Sequence, residues 1–181
     1  MAQIVIVHDT RLDGEPPRGD SITIVSVNGH TRLSTLVQRI NDISFQYGSE
    51  IRLRIMCHGY EVDGHGGYGL QLCQDDLKLT TVRQLRPWSG NLSYGITIYS
   101  CAAADVAPGR TGLDGDGRML CSEIARITAT GVRAADATQF YRYSSLSAIN
   151  FGRWEGNVIE WDARGVRVGM EHEPEQSPLH G

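Results

Sequence analysis

Two side chains that could form a catalytic pair each follow a short apolar segment that favours a β-strand. His58 comes directly after the run 51–57 and is followed by Gly59. Cys101 comes directly after the run 94–100 and is followed by three alanines. An imidazole can accept a thiol proton near neutral pH, and the thiolate is the nucleophilic form of cysteine. The pair therefore predicts nucleophilic catalysis, with Cys101 as nucleophile and His58 as acid and base.

The residues beside this pair suit the binding of a substrate carbonyl group. Gly59 has no side chain, so a carbonyl oxygen could approach its backbone N–H. The N–H groups of Gly59 and Cys101 could together form an oxyanion hole, and the alanines leave room for an acyl group. Cys101 and His58 could each instead have an ordinary structural role. A cysteine at the end of a buried strand is usually a small core residue, and a histidine in a turn is usually solvated.

The elements that must position these residues alternate between strand and helix. Apolar or β-branched runs predict strands at 3–8, 21–27, 51–57, 94–100 and 131–136. Helical spacing of apolar residues predicts helices over 34–47 and from Asp116 to Gly131, with 21–27 open as either a sheet strand or a hairpin partner. The segments NVIEW and GVRV predict a C-terminal hairpin.

This alternation indicates an α/β fold with a mainly parallel sheet and helices on both faces. Ligands of such sheets bind where the strands end at their carboxyl side. Four polar or reactive residues are expected at that edge: Asp9, His58, Cys101 and Asp136.

The blocks IRLRIMCHG and ITIYSCAAA resemble the two catalytic blocks of clan CD cysteine peptidases, the caspase-like group. In that group, a strand ending in His-Gly and a strand ending in Cys supply the dyad. The order of elements is similar over about residues 3–168, most of all to the bacterial caspase-like domains of the CHAT type and of large adhesins. One departure is that Tyr-Ser-Cys-Ala-Ala, at 99–103, replaces the caspase block Gln-Ala-Cys-x-Gly, which argues against close caspase specificity.

The resemblance implies a three-layer caspase-hemoglobinase fold with a C-terminal β-hairpin, forming a peptidase domain over 1–170. The polar composition of 171–181 predicts a disordered tail. The implied activity is that of a cysteine endopeptidase, a thiol protease that needs no cofactor and hydrolyses a protein or peptide. A bacterial effector, defence or self-processing role would fit this activity.

The resemblance also implies a pocket for the residue before the scissile bond. In several families of the clan, this pocket is built from the loop after the first strand and from the element after the cysteine strand. Those places hold Asp9 and Asp136 in this chain, and carboxylates there would select Arg or Lys. Either aspartate could instead stabilise a turn, and Arg11 and Arg18 could favour an acidic residue.

Composition excludes several other functions. The net charge is −4 and the arginines are scattered, which argues against nucleic-acid binding. No apolar run reaches the roughly 20 residues of a membrane span, and no signal peptide is apparent, so a cytoplasmic protein is expected. The four cysteines lie in apolar segments without a CxxC pair, which predicts reduced thiols and no structural zinc site. The motif GHGGYG at 64–69 does not open a helix, so it does not predict dinucleotide binding.

Three functions remain open at this point. The first is the endopeptidase. The second is a catalytically silent caspase-like module that binds a partner protein, since a fold does not determine a function. The third is a small-molecule hydrolase or transferase that uses the same dyad.

Overall fold

The computed structural model describes residues 2–143, 149–150 and 153–175 of the chain. The strands in this part, in chain order, are β1 (Gln3–Asp9), β2 (Ile22–Val27), β3 (Ile51–Met56), β4 (His58–Gly59), β5 (Leu70–Gln71), β6 (Ile96–Tyr99), β7 (Val132–Ala135), β8 (Arg142–Tyr143), β9 (Ile149–Asn150), β10 (Asn157–Trp161) and β11 (Arg167–His172). The helices are α1 (Leu33–Gln46), a 3-10 helix (Val82–Trp88) and α2 (Gly117–Thr128).

Seven of the described strands form one central sheet in the order β11-β10-β7-β6-β3-β1-β2. The five strands from β7 to β2 are parallel to their neighbours, and β10 and β11 join the β7 side as an antiparallel hairpin. The predicted mainly parallel sheet and C-terminal hairpin are therefore confirmed. The strand β2 pairs in parallel with β1, which settles the choice left open for 21–27.

The alternation of β3 shows why the sheet has two different faces. Leu53 and Ile55 are fully buried in the main hydrophobic core, together with apolar residues of both α-helices and the 3-10 helix. Arg52 and Arg54 alternate with them and so point to the opposite face. A smaller cluster covers part of that face and includes Trp154. The described helices all contribute to one core, so the expected second helical layer stays a prediction.

A local sequence signal explains the start of α2, whereas two other element ends differ from the prediction. Asp116 caps α2, because its side chain accepts a hydrogen bond from the backbone of Met119 at 2.9 Å. The predicted end of α2 at Gly131 is wrong: the helix ends at Thr128, and Ala129 takes a left-handed conformation with φ of 51°. The strand β3 also stops earlier than predicted, at Met56, and His58–Gly59 turns away to pair with β5.

The last strand extends into the segment for which composition predicts a disordered tail. The strand β11 continues to His172, and Glu175 forms an isolated β-bridge with Arg153. Residues 176–181 of the predicted tail lie outside the described residues. In the described part of the chain, no helix has the length and apolar character needed to cross a membrane.

Candidate active site

The four residues expected at one edge of the sheet do follow the carboxyl ends of four neighbouring strands. Asp9 is the last residue of β1, and His58 comes two positions after β3. Cys101 comes two positions after β6, and Asp136 directly follows β7. Since β3 pairs with β6 in parallel, His58 and Cys101 emerge side by side in the middle of the sheet.

The backbone of Gly59 lies directly against the backbone of Cys101. A Cβ atom on Gly59 would overlap the carbonyl oxygen of Cys101 and would lie 3.1 Å from the Oγ atom of Ser100. Only glycine fits here without displacing backbone atoms. The sequence predicts that Gly59 gives a substrate carbonyl access to the backbone, and the structure adds a packing reason for glycine at this position.

The N–H of Gly59 is directed away from the short strand β5. Tyr60 donates its N–H to the carbonyl of Gly69 at 2.9 Å, so Tyr60 belongs to a hydrogen-bonded pair of the β4–β5 ladder. Hydrogen-bonded and non-bonded pairs alternate in antiparallel ladders, which places Gly59 in a non-bonded pair with Leu70. Its N–H is therefore not used by the ladder.

The ring of His58 is held by the loop after β1. Its Nε2 atom lies 3.1 Å from the carbonyl oxygen of Arg11. A carbonyl oxygen can only accept, so Nε2 carries a proton and donates it. In a neutral ring, Nδ1 is then the nitrogen with a free lone pair, and it is the atom that could accept a thiol proton.

The position of Arg11 depends in turn on the buried carboxylate of Asp9. Arg11 donates Nε to Oδ1 at 2.8 Å and Nη2 to Oδ2 at 2.7 Å, and the backbone N–H of Cys73 donates to Oδ2 at 2.9 Å. Burial by itself would raise the pKa of Asp9, but the hydrogen bonds from Arg11 and Cys73 outweigh it and hold that pKa below its ordinary value. Both oxygens of Asp9 are occupied. The geometry gives Asp9 a positioning role, and its predicted role in substrate binding stays a prediction.

The thiol of Cys101 faces the segment that follows β7. Its Sγ atom lies 3.6 Å from the carbonyl oxygen of Gln139 and can donate to it. Burial raises the pKa of this thiol, the charges of Glu61 and Glu155 raise it further, and the backbone of Gln139 opposes them. Among the described residues, no hydrogen bond joins Cys101 to His58. The resting side chain is therefore a neutral thiol turned toward Gln139.

Gln139 is a site residue that sequence reasoning missed. It is 3% exposed and its Nε2 atom donates to the carbonyls of Ala137 at 2.8 Å and Glu155 at 2.9 Å. The N–H of Glu155 donates back to Oε1 of Gln139 at 3.2 Å. No element or role was predicted from the sequence for the segment 137–140. Its position directly after β7, at the same edge as Cys101, was the signal that could have found it.

Asp136, directly after β7, forms its own hydrogen bonds at this edge of the sheet. Asp136 accepts from the backbone N–H of Asn157 at 2.8 Å and from its Nδ2 at 3.0 Å. Arg118 makes a long contact of 3.5 Å with Asp136, whose side chain is 13% exposed. Asp9 and Asp136 are separated by three strand spacings, roughly 14 Å. Asp9 and Asp136 therefore end strands that are not direct neighbours, and their shared role in binding a basic side chain stays a prediction.

The glycine-rich segment 64–69 packs against the loop that follows Cys101. Gly67 donates its N–H to the carbonyl of Ala102 at 3.1 Å, and Gly66 donates to Oδ2 of Asp105 at 2.9 Å. A Cβ atom on Gly66 would overlap Ala102. These glycines permit close packing beside the site.

The other three cysteines differ from Cys101 in being fully buried. Cys57, Cys73 and Cys121 are buried free thiols, and burial raises the pKa of each, that of Cys73 to about 12. In the residues that the structure describes, no group of three or more His, Cys, Asp or Glu side chains is arranged to hold a metal ion.

A scan of the chain against protein-family models, a search of curated proteins and a search of solved structures each found no match. The chemistry of this edge is therefore inferred from its own residues. A thiol and an imidazole with an available Nδ1 emerge from neighbouring strands, and the N–H of Gly59, which the β4–β5 ladder does not use, lies beside them. Such a set of groups can carry out nucleophilic acyl transfer.

Proposed function

We propose that this chain is a cysteine endopeptidase in which Cys101 attacks the scissile carbonyl and His58 transfers the protons. One observation carries the proposal: His58 and Cys101 emerge side by side from β3 and β6, with the backbone of Gly59 packed on that of Cys101. This placement lets one substrate carbonyl reach the thiol, the imidazole and the backbone donors together.

The reaction would begin with rotation of the Cys101 side chain away from the carbonyl of Gln139. The thiol proton passes to Nδ1 of His58 while Sγ bonds to the substrate carbonyl carbon, whose oxygen becomes an oxyanion. When this intermediate collapses, the C–N bond breaks and the leaving amine takes the proton from Nδ1. A water molecule then hydrolyses the thioester, with His58 accepting its proton and returning one to Sγ.

The backbone supplies the oxyanion donors in this scheme. The N–H of Gly59 is not used by the β4–β5 ladder, and the N–H of Cys101 belongs to the nucleophile itself. Two donors of this kind, held by surrounding structure, stabilise negative charge that develops in the transition state.

A basic residue before the scissile bond is the specificity that the charges favour. Glu61 and Glu155 act electrostatically on Cys101, and Asp136 lies at the end of the next strand. Asp136 keeps only a long contact with a cation, Arg118, and a substrate guanidinium could take that place. We assign the preference to Asp136 and not to Asp9, because Arg11 already occupies Asp9.

A second function has its own supporting observation. The Cys101 thiol points to Gln139, and the ring of His58 is held by Arg11, with no hydrogen bond between the two side chains in the described structure. A protein-interaction module that keeps the scaffold without catalysis would show the same resting geometry.

Covalent labelling separates these two functions. The protein is treated with a peptide that carries Arg and a thiol-reactive group in place of the scissile bond, and labelled residues are identified by mass spectrometry. The endopeptidase is expected to be labelled at Cys101, and His58→Ala is expected to slow labelling by roughly 100-fold or more, the usual contribution of a general base. Labelling that is indifferent to His58 would favour the interaction module.

Matched variants make the result specific. His30 is exposed and lies in the turn before α1, and no described hydrogen bond joins its side chain to His58 or Cys101, so His30→Ala removes an imidazole outside the proposed dyad. It is expected to be labelled like the original protein. Cys101→Ala is expected to lose the label and to retain its thermal stability, since little volume is lost at a half-buried position. A strongly destabilised Cys101→Ala protein, with no labelling of the original, would indicate a structural cysteine.

A further inference from the structure

The sheet face opposite the helices contains a cavity of about 510 Å³. Side chains from β3, β6, β7 and β10 form its floor, among them Arg52, Arg54, Arg133 and Glu160. This cavity is separate from the catalytic proposal, because it lies on a face of the sheet and not at the carboxyl edge.

The central feature of this cavity is the guanidinium of Arg54. Arg54 is only 4% exposed, and its Nε and Nη1 atoms are buried without a hydrogen-bond partner among the described residues. Removing a guanidinium from water without giving it an acceptor is costly, and native proteins rarely leave such a group unpaired. The geometry therefore indicates that an acceptor belongs beside Arg54.

The neighbouring charges show where a negative group would be attracted. Arg54 lies opposite Thr97, which lies opposite Arg133 on β7. Arg133 is already balanced by Glu160 and Glu171, each at 3.3 Å. In the described part of the chain, neither Arg52 nor Arg54 has a carboxylate within ion-pair distance. The uncompensated positive charge is therefore on β3.

Aromatic packing keeps the Arg54 side chain in place. The centre of its guanidinium lies 6.0 Å from the centroid of the Tyr99 ring, which is stacked on Trp154 with centroids 4.9 Å apart. A guanidinium over an aromatic face is attracted to it and remains ordered. Burial lowers the pKa of Arg54, and the charge of nearby Arg52 lowers it further, which agrees with two cations that share one space.

We propose that this cavity binds a small molecule through its oxyanion group, a carboxylate or a phosphate, held between Arg52 and Arg54. An oxyanion would supply the missing acceptors of Arg54 and would relieve the repulsion between the two guanidinium groups. The proposal goes beyond the peptidase activity and does not depend on it.

The test measures binding and not activity. Thermal unfolding and calorimetry are carried out with sodium phosphate and with sodium succinate, at constant ionic strength set with sodium chloride. A saturable rise of Tm with either anion at millimolar concentration is expected, and the anion that binds identifies the group as phosphate or carboxylate. No saturable response to either anion would overturn the proposal.

Variants locate the site. Arg54→Met removes the charge while keeping an apolar stem, and it is expected to weaken binding about tenfold or more because a charge-assisted hydrogen bond is lost. Arg18→Gln makes the same change of charge at a residue whose side chain is 75% exposed, and it is expected to bind like the original protein. Equal binding by the Arg54→Met and Arg18→Gln proteins would overturn the assignment.

The folding of the Arg54 variant is also informative. Without anion, Arg54→Met is expected to have a Tm no lower than that of the original protein, since an apolar group replaces an unpaired buried cation. If it does not fold, Arg54→Lys serves in its place. Lysine keeps the charge but lacks the planar fork, and unchanged anion affinity in that variant would contradict the proposed contact.

Discussion

Gly59 and Cys101 are in direct backbone contact, and a Cβ atom on Gly59 would overlap the Cys101 carbonyl oxygen. The clash is with backbone, so no side-chain rotation can relieve it. The relationship ties the residue after the proposed acid–base group to the proposed nucleophile. It also means that the two segments that carry the proposed dyad must pack together before the site exists.

The first prediction follows from this contact. Gly59→Ala is expected to lower the free energy of unfolding by about 1–3 kcal/mol or more, as overpacking does in other interiors. It is also expected to reduce labelling of Cys101 by the peptide electrophile. Gly29→Ala is the control, since a Cβ atom there would meet only the flexible side chain of Arg11 at 3.4 Å. Equal stability of the two variants in urea denaturation would contradict the contact.

The second prediction concerns the pair formed by Asp9 and Arg11. Asp9→Asn is expected to cost about 1.5–3 kcal/mol of stability at neutral pH, the range for hydrogen bonds to a charged group. Breaking a fully buried ion pair costs roughly 3–5 kcal/mol. A smaller loss is expected here because the Arg11 side chain is 30% exposed. Asp13→Asn, at an exposed position in the same loop, is the matched control.

Acid should remove the contribution of Asp9. Its pKa is lower in the folded protein than the ordinary value of 3.8, so its stabilisation is complete above that value and is lost as the pH falls below it. The stability difference between the original protein and Asp9→Asn should therefore be constant near neutrality and should shrink below about pH 3.8. Urea titrations at several pH values measure this difference in the free energy of unfolding. A difference that grows as the pH falls would contradict the prediction.

The third prediction addresses cleavage specificity. If Asp136 binds the basic side chain, Asp136→Asn keeps the shape but removes the charge. The value of kcat/KM for peptides with Arg before the scissile bond is expected to fall roughly tenfold to 100-fold, which corresponds to about 1.5–3 kcal/mol. Peptides with an apolar residue at that position serve as controls and should be little affected.

The neighbouring cation provides a further check on Asp136. Arg118 competes for the same carboxylate in the resting structure, so Arg118→Gln is expected to preserve or raise kcat/KM for the Arg peptides. A cleavage profile over a peptide library that prefers Asp, Gly or an apolar residue would rule out Asp136 as the specificity residue. The Cys101 and His58 dyad would not be affected by that result.

The fourth prediction concerns the protonation of Cys101. Because burial raises the pKa of this thiol above its ordinary value of 9.0, the rate of alkylation by iodoacetamide is expected to keep rising beyond pH 9.0. Mass spectrometry resolves the rate at Cys101 from that at the three buried cysteines. A plateau at about pH 6–8 would instead indicate a thiolate–imidazolium pair already present in the resting protein.

Much of the sheet could be predicted from the sequence because its signal is local. Runs such as 3–8 and 94–100 are apolar and β-branched over the length of a strand, and they form β1 and β6. The stripe of apolar residues over 34–47 forms α1 for the same kind of reason, since helical spacing shows on the sequence itself. The adjacency of His58 and Cys101 follows from two such strands being neighbours, an arrangement that the family resemblance implied.

Side-chain partners could not be predicted, because they depend on contacts between distant parts of the chain. Asp9 and Cys73 are 64 positions apart, and Cys101 and Gln139 are 38 positions apart. Both contacts depend on the conformations of loops, and the periodicity of apolar residues does not predict loop conformation. The sequence therefore could not show that Arg11 donates to both oxygens of Asp9.

The sequence by itself determined where the main strands and helices lie, without their exact ends, and which reactive residues follow the central strands. Only the tertiary structure decided that Cys101 faces Gln139 and that the buried Nε and Nη1 atoms of Arg54 have no acceptor among the described residues. The physical reason is that hydrophobic patterning indicates only whether a position is buried. Which charged or hydrogen-bonding group contacts that position depends on the strand order and on the loops that fold over the sheet.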